Sequence, residues 1–435
     1  MRSFVALLLG LPGEARAFVF QPKKTGKFRR AGQYSKYEGE AAPGRAPLSN
    51  KKEPSMIYFD NAATGGRKQR AVVQAVLASI EGICANPGRS GHALAAALAK
   101  NLSAARERLC SFFGNTDPDR TVFTRGCTEA LNIALFSLPS LQTNGRLPHI
   151  VTTAAEHNAV LRPLFSLRRA GKIALTVVPL REGRVPPEDI AAAVREDTAA
   201  CAFTLASNVT GAAIDPAAVR ARIPPHVLTV CDGAQACGHI PVHMQEAGID
   251  ALCVAGHKGM GGIQGSGALL FSARFDPLPL LFGGSGVLSA DEDMPPFYPE
   301  RLEAGTLSYP AILSLAEGTL HLQLHMERES RRLLRLTRQL HAGLQEIDGL
   351  RLYSMPNPFG IAAFACPALQ SELFAQRLSD EYAIAVRGGL HCAPRMHAGL
   401  GTTECGLVRA SLSPANTAQE VRAFLSAVRA VAENV

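Results

Sequence analysis

From residue 121 to residue 231, short apolar runs and helical stretches alternate with little chain between them. Apolar runs at 121–123, 150–153, 173–180, 199–205 and 227–231 predict strands, and the stretches at 126–136, 159–169, 187–195 and 216–223 predict helices between them. Strands separated in this way run parallel through right-handed crossovers, and their sheet needs helices on both faces. The pattern therefore dictates an α/β fold with a mainly parallel sheet. Residues 70–82 and 92–113 predict two helices ahead of it. The Leu- and Arg-rich stretch 311–347 is too long for another crossover and predicts a helix leaving the sheet. After it, strands at 361–366 and 407–412 and helices at 371–381 and 417–432 predict a small α+β unit, with Thr417 and Glu420 spaced as a capping box.

The charge lies mostly outside this pattern. Of the net +8, residues 1–55 contribute +7, with eleven Lys/Arg against four acids, which leaves 34 basic and 33 acidic side chains for the other 380 residues. That balance fits a metabolic enzyme and argues against nucleic acid as a ligand. The first 55 residues read as a basic extension, disordered or untranslated. Phe4–Leu11 followed by Ala15-Arg16-Ala17 mimics a secretory signal, the basic composition suits a transit peptide, and Met56 offers a third possibility, a later start. Beyond residue 20 no apolar run reaches the roughly 18 residues of a membrane-spanning helix, so no membrane association is expected. The ten cysteines form no CxxC pair, as expected for reduced thiols, and no metal site is predicted. A cytoplasmic location follows, with organellar targeting by residues 1–55 left open.

In parallel α/β sheets ligands bind beyond the carboxyl ends of the strands. Gly126-Cys127-Thr128-Glu129 there forms a glycine turn into a helix, whose free amides and positive dipole end suit a phosphate. Asp232-Gly233-Ala234-Gln235 places a carboxylate and an amide at the next informative strand end, and His257-Lys258-Gly259 supplies an amine among small residues. A desolvated lysine can form an imine with a carbonyl. An acid for a pyridinium nitrogen, an amine for an aldehyde and a phosphate cradle are the parts that pyridoxal 5'-phosphate needs.

Nine motifs in order then carry a resemblance over nearly all of residues 56–430. They are Tyr58-Phe59-Asp60-Asn61-Ala62-Ala63-Thr64, the turn from Gly126 to Ala130, Glu156-His157-Asn158, Ser207-Asn208-Val209-Thr210-Gly211, the turn from Asp232 to Gln235, Gly256-His257-Lys258-Gly259, Arg301-Leu302-Glu303-Ala304-Gly305-Thr306, Arg387-Gly388-Gly389-Leu390-His391-Cys392-Ala393-Pro394 and Val408-Arg409-Ala410-Ser411. The chain resembles the cysteine desulfurases of the class V aminotransferase group, fold type I pyridoxal phosphate enzymes, and its Arg-x-Gly-x-His-Cys stretch resembles the short-loop second group. The resemblance implies a mainly parallel seven-stranded sheet in a cofactor-binding domain over 76–310, preceded by a segment at 56–75, with a small α+β domain over 311–435.

It also implies roles. Lys258 matches the Schiff-base lysine, Asp232 the partner of the ring nitrogen, Gln235 the partner of the phenolate oxygen, and His157 the ring-stacking histidine available for proton transfer. Thr128 and His257 match phosphate contacts, with Cys127 beside them, and Thr306 matches a contact supplied by the second subunit of a homodimer. Asn208, Arg409 and Arg387 match substrate-binding positions. Cys392 matches the thiol that takes sulfur from L-cysteine, releasing L-alanine and leaving a persulfide for a sulfur-accepting protein or thiol. A related lyase acting on selenocysteine or cysteine sulfinate would need that thiol less, and a non-catalytic scaffold would need none of these groups. Departures from the family are Ala255 in place of a Ser or Thr, Cys127 in place of an Ala or Thr, and Gly261 and Ile263 in place of a Tyr and a Pro.

Overall fold

The computed structural model describes residues 56–81, 85–87, 91–141 and 145–435. The expectations for residues 1–55, for the helix end at Gly82 and for Cys84 lie outside the described residues. A short strand β1 (Ile57–Tyr58) and the helices Arg70–Ile80 and Ala93–Phe112 precede the main sheet. Its strands follow as β2 (Thr121–Thr124), β3 (His149–Thr153), β4 (Ala174–Val178), β5 (Thr198–Thr204), β6 (Leu228–Asp232), β7 (Ala251–Ala255) and β8 (Gly267–Phe271). They lie in the order β2-β8-β7-β6-β5-β3-β4. From β7 to β4 every neighbouring pair is parallel, and β8 runs antiparallel to both β7 and β2. The expected seven-stranded, mainly parallel sheet is present. The apolar run that makes β8 follows β7 without a helix, and that is why this strand comes back antiparallel.

Side chains alternate across the sheet as a strand's period of two requires. Cys201, Phe203 and Leu205 enter one core together with Phe123 and Cys231. Ala200, Ala202, Leu228 and Val230 enter the core on the other face, against Leu131 and Leu135 of the helix Cys127–Ser137. Both faces are thus dry.

After β8 come the helix Tyr309–Gln345, β9 (Arg351–Leu352), β10 (Ile361–Ala365), the helix Ser371–Tyr382, β11 (Ile384–Ala385), the helix Pro394–Leu400, β12 (Val408–Ser411) and the helix Ala418–Glu433. Strands β12, β10 and β9 form an antiparallel sheet. The predicted capping box holds, with Thr417 and Glu420 bonded reciprocally. The 37-residue helix serves two cores: Ile312, Leu315 and Leu322 belong to the main sheet's core, whereas Leu333, Leu336, Leu340 and Leu344 pack with β10 and the last helix. Phe59 joins the second of these cores, and β1 pairs in parallel with β11, so the start of the described chain is bound to its C-terminal part.

Candidate active site

Beyond the carboxyl ends of β5, β6 and β7 opens a cavity of about 590 Å3. Its wall brings together Cys127, Thr128, His157, Asn208, Asp232, Gln235, His257 and Lys258 from five separate stretches of sequence. Arg387, Cys392, Arg409 and Thr306 are not part of that wall. The first three stand against it through the contacts described below, and Thr306 is exposed.

The helix that begins at Cys127 is entered through Gly126 at φ 156° and ψ 174°, where a Cβ would project into open space. The backbone there is crowded from the sheet side: a Cβ on Gly267 of β8 would lie 2.6 Å from the Gly126 Cα. The first amides of a helix have no carbonyl one turn back, so those of Cys127 and Thr128 are available to an anion. Arg125 is held beside this turn by Glu129, with 2.9 Å between Nη2 and Oε1.

Asp232 ends β6, and its Oδ1 accepts the Ala234 N–H at 2.9 Å and the Cys127 thiol at 3.3 Å. Burial, followed by the charge of Asp232, pushes the Cys127 thiol well up, so it remains a donor to that carboxylate. Burial pulls the Lys258 amine below the ordinary lysine range, against the opposing pull of Asp232 and Cys127. Its lone pair is correspondingly easier to expose. His257 is lowered to about 4, first by burial and then by Lys258 and Lys68. Its Nδ1 lies 3.0 Å from Thr64 Oγ1, and Lys68 Nζ donates to its carbonyl at 3.0 Å. Gln235 Nε2 donates to the Ala62 carbonyl at 2.9 Å, which holds the Asp60–Thr64 turn against the cavity.

His157 caps the helix Asn158–Arg169: its Nδ1 accepts the Ala159 N–H at 3.0 Å. That bond fixes the tautomer, because a neutral imidazole accepting at Nδ1 carries its proton on Nε2. Burial above all lowers the ring's pKa, with Asp232 opposing, so the neutral form is favoured.

The Cys392 loop is fastened to the same wall. His391 and Cys392 adopt left-handed backbone at φ 48° and 57°. Asn208 Nδ2 donates to the His391 carbonyl at 2.7 Å, and the Asn158 amide, next to His157, donates to the Cys392 carbonyl at 2.7 Å. Among the nine described cysteines Cys392 is the exposed one, with Arg387 Nη2 at 3.8 Å from its Sγ. Arg409 is buried, donating to the Asn208 carbonyl at 2.9 Å and to Asp60 Oδ1 at 2.8 Å. Asn208 Oδ1 and Arg409 Nε are buried without a partner, the condition of groups that await a polar ligand.

The family model of Aminotransferase class-V matches residues 57–424. The cysteine desulfurase CsdA of Escherichia coli is 31% identical over 387 residues, covering 86% of this chain and 93% of its own. The chain belongs to the cysteine desulfurases. A solved structure of CsdA in an S-sulfonic acid form superposes with a TM-score of 0.78 at 28% identity, covering 87% of this chain and 95% of that one. The apo cysteine desulfurase of Thermococcus onnurineus NA1 also gives 0.78, at 27% identity and the same coverage. Against the family pattern, Ala255 lines this desulfurase's cavity with a methyl group in place of a hydroxyl. Gly261 takes φ 75°, a backbone that a tyrosine would adopt only under strain.

Sequence reasoning gave no role to Asp60, Lys68, Glu156, Asn158 or Thr204. Asp60 and Glu156 were within quoted motifs; Glu156 directly precedes His157, which was a usable signal, whereas Asp60 meets Arg409 only through the fold. Asn158 acts through its backbone amide, which no side-chain pattern reports.

Proposed function

We propose that this enzyme converts L-cysteine to L-alanine, taking the sulfur onto Cys392 as a persulfide, with pyridoxal 5'-phosphate held at the cavity. The residues fit that cofactor. Free amides at Cys127 and Thr128 and the His257 ring suit its phosphate, Asp232 its ring nitrogen, Gln235 its ring oxygen and Lys258 its aldehyde. Bound there, the cofactor supplies an electron sink for charge developing at the substrate's α-carbon.

The chain's own groups account for the rest. Asn208 and Arg409 present a buried, partly unpartnered pair to the substrate carboxylate, with Arg387 at the rim. Lys258, its proton loosened by burial, moves the α-proton. His157, with its proton on Nε2, serves proton transfer in the cavity that would hold the cofactor. The Cys392 thiolate attacks the substrate sulfur: the S–S bond forms as the substrate's C–S bond breaks, and the electron pair stays with the substrate carbon.

Thr306 is exposed, its neighbour Gly305 donates to the Gly284 carbonyl at 2.9 Å, and the segment 278–297 exposes Leu278, Leu280, Leu281, Phe282, Val287 and Phe297, of which Leu280 also lines the cavity. A second copy of the chain covering this surface would bring its Thr306 to the phosphate, which supports a homodimer. We read residues 76–310 as the cofactor-binding domain and 311–435 as the smaller one, with the long helix shared between their cores. Free thiols throughout the described residues favour a cytoplasmic location. Among the described residues no helix is long and apolar enough to cross a membrane.

The carrying observation is the exposed Cys392 fastened by Asn158 and Asn208 to the wall that holds His157 and Lys258. With L-cysteine the holoenzyme should release alanine, and the Cys392 peptide should gain the mass of one sulfur, removable by a reductant. Cys392→Ser should bind cofactor and substrate normally and form no persulfide. If the mass appears on another cysteine, or if the serine variant releases sulfur at the wild-type rate, the assignment falls. The second outcome would point to a selenocysteine or cysteine sulfinate lyase.

A further inference from the structure

The two segments that meet beside Cys392 carry charge of a single sign. The helix Asn158–Arg169 and the segment 387–400 together contain Arg162, Arg168, Arg169, Arg387 and Arg395, and no Asp or Glu. All but Arg387 are exposed, and none of the five makes an ion pair among the described residues. Arg387 stands at Cys392 itself, and Arg168 and Arg395 meet at one ring. The Arg168 and Arg395 guanidinium groups lie 4.6 Å and 5.3 Å from the Phe165 ring, which ties the helix to the segment three residues beyond Cys392. The Asn158 amide holds the Cys392 carbonyl at the start of the same helix, and Arg162 follows one turn later. Acids from neighbouring elements are few: Glu372 faces Gly389, and Glu182 sits in the turn against which Leu400 packs.

A chain that carries 34 basic against 33 acidic side chains over residues 56–435 has no structural need to leave five arginines unpaired on the two segments that meet beside one exposed thiol. Resting on the persulfide reading of Cys392, we infer that this collar is the docking surface of the sulfur acceptor, and that the acceptor is a protein whose accepting cysteine is flanked by Asp and Glu. Opposite charge raises the encounter rate and orients the two thiols, while Phe165 gives an apolar contact at the centre. The transfer balances without a co-reactant. The acceptor thiolate attacks the outer sulfur of the Cys392 persulfide, a new S–S bond forms, the old one breaks, and its electron pair returns to Cys392 Sγ as thiolate. The persulfide proton travels with the transferred sulfur.

Three peptides of equal length test this, each with one cysteine, flanked by Asp/Glu, by Lys/Arg or by Ser/Gly. Holoenzyme is loaded with L-cysteine and desalted, and the loss of the outer sulfur from Cys392 is followed by intact mass. Without docking the acidic peptide is the slowest, because acidic flanks raise a cysteine's pKa and reduce its thiolate. With docking it should be about tenfold faster than the neutral one at low ionic strength, and at about 0.5 M salt that lead should vanish. Arg168→Glu/Arg395→Glu should still form the persulfide, which also shows that it folds, and should prefer the basic peptide. Normal persulfide formation with no lead for the acidic peptide, or a lead that survives in the double variant, overturns the inference alone. Binding of an RNA oligonucleotide with no preference among the peptides overturns it in favour of a nucleic acid. Absence of any persulfide on Cys392 overturns both the inference and the reading on which it rests.

Discussion

Replacing Glu156 by Gln should flatten the pH dependence of stability. Glu156 is fully buried directly before His157, and burial raises its carboxyl from 4.5 to about 8, although Thr153 Oγ1 and the Thr204 N–H donate to its Oε1 at 2.5 Å and 3.0 Å. At neutral pH it is a neutral acid, and its Oε2 has no partner. An unfolded chain ionises this group near 4.5, so between 4.5 and about 8 the native state holds one proton more than the unfolded state. Stability from this group is complete below its unfolded pKa and is lost as pH rises through the folded one. From about pH 6 to pH 8 the loss is about 2 kcal/mol, two units of pH at roughly 1.4 kcal/mol each less the part already titrated in the native state. Glutamine keeps an acceptor for the Thr204 N–H and does not titrate. Urea unfolding of wild type and Glu156→Gln at about pH 6, 7 and 8 measures the difference, since every other titrating group is common to both. Parallel curves would refute the reasoning, and so would a wild type that gains stability relative to the variant as pH rises.

Lys258→Ala should abolish turnover and the visible absorption of the covalently bound cofactor, even where some cofactor is retained through its phosphate; steady-state alanine release and an absorption spectrum check this, and full activity would end the assignment. Asp232→Ala should lower kcat by more than tenfold, at least about 1.4 kcal/mol of transition-state stabilisation, because an unprotonated ring withdraws charge far less well. A smaller loss in the same assay would show that Asp232 does not partner the ring nitrogen.

Much of this site was legible because its chemistry sits at strand ends. Asp232 and the Gly126 turn follow apolar runs directly, and the helix–strand alternation places the ends of parallel strands on one side of the sheet. His157 was legible through its motif, but its role as the cap of its own helix, which fixes the tautomer, depends on backbone angles. The strands β7 and β8 were harder to read, since an antiparallel return needs no intervening helix and breaks the periodic signal. Pairing of β1 with β11 joins residues more than 320 positions apart, from Ile57 to Ile384, and nothing local in two apolar residues announces it. The arginine collar is divided between two segments with ordinary composition, and only the approach of Arg168 and Arg395 to one phenylalanine ring makes it a single surface.

The site combines two kinds of support, and the division follows from what each group must do. Asp232 is anchored on β6 between β5 and β7, where each neighbour fixes its backbone, and Lys258 follows just beyond the end of β7; in the proposed reaction these groups meet one bound ring and benefit from the stiffest part of the sheet. In the proposed reaction Cys392 first reaches a substrate sulfur and then offers that sulfur to a thiol outside the protein, which a position on a strand would not allow. It stands on a loop in which His391 and Cys392 both adopt left-handed backbone, at a cost of about 1–2 kcal/mol each. Such backbone persists only when its surroundings over-determine it. Here they do so through the Asn208 amide on the His391 carbonyl, the Asn158 amide on the Cys392 carbonyl and the His391 ring against the Leu407 carbonyl at 3.0 Å. Two of those three holds come from the cavity wall, from Asn208 in its lining and from Asn158 directly after His157. The posture of the Cys392 loop is therefore tied to the cavity wall through the Asn208 side chain and the Asn158 backbone amide.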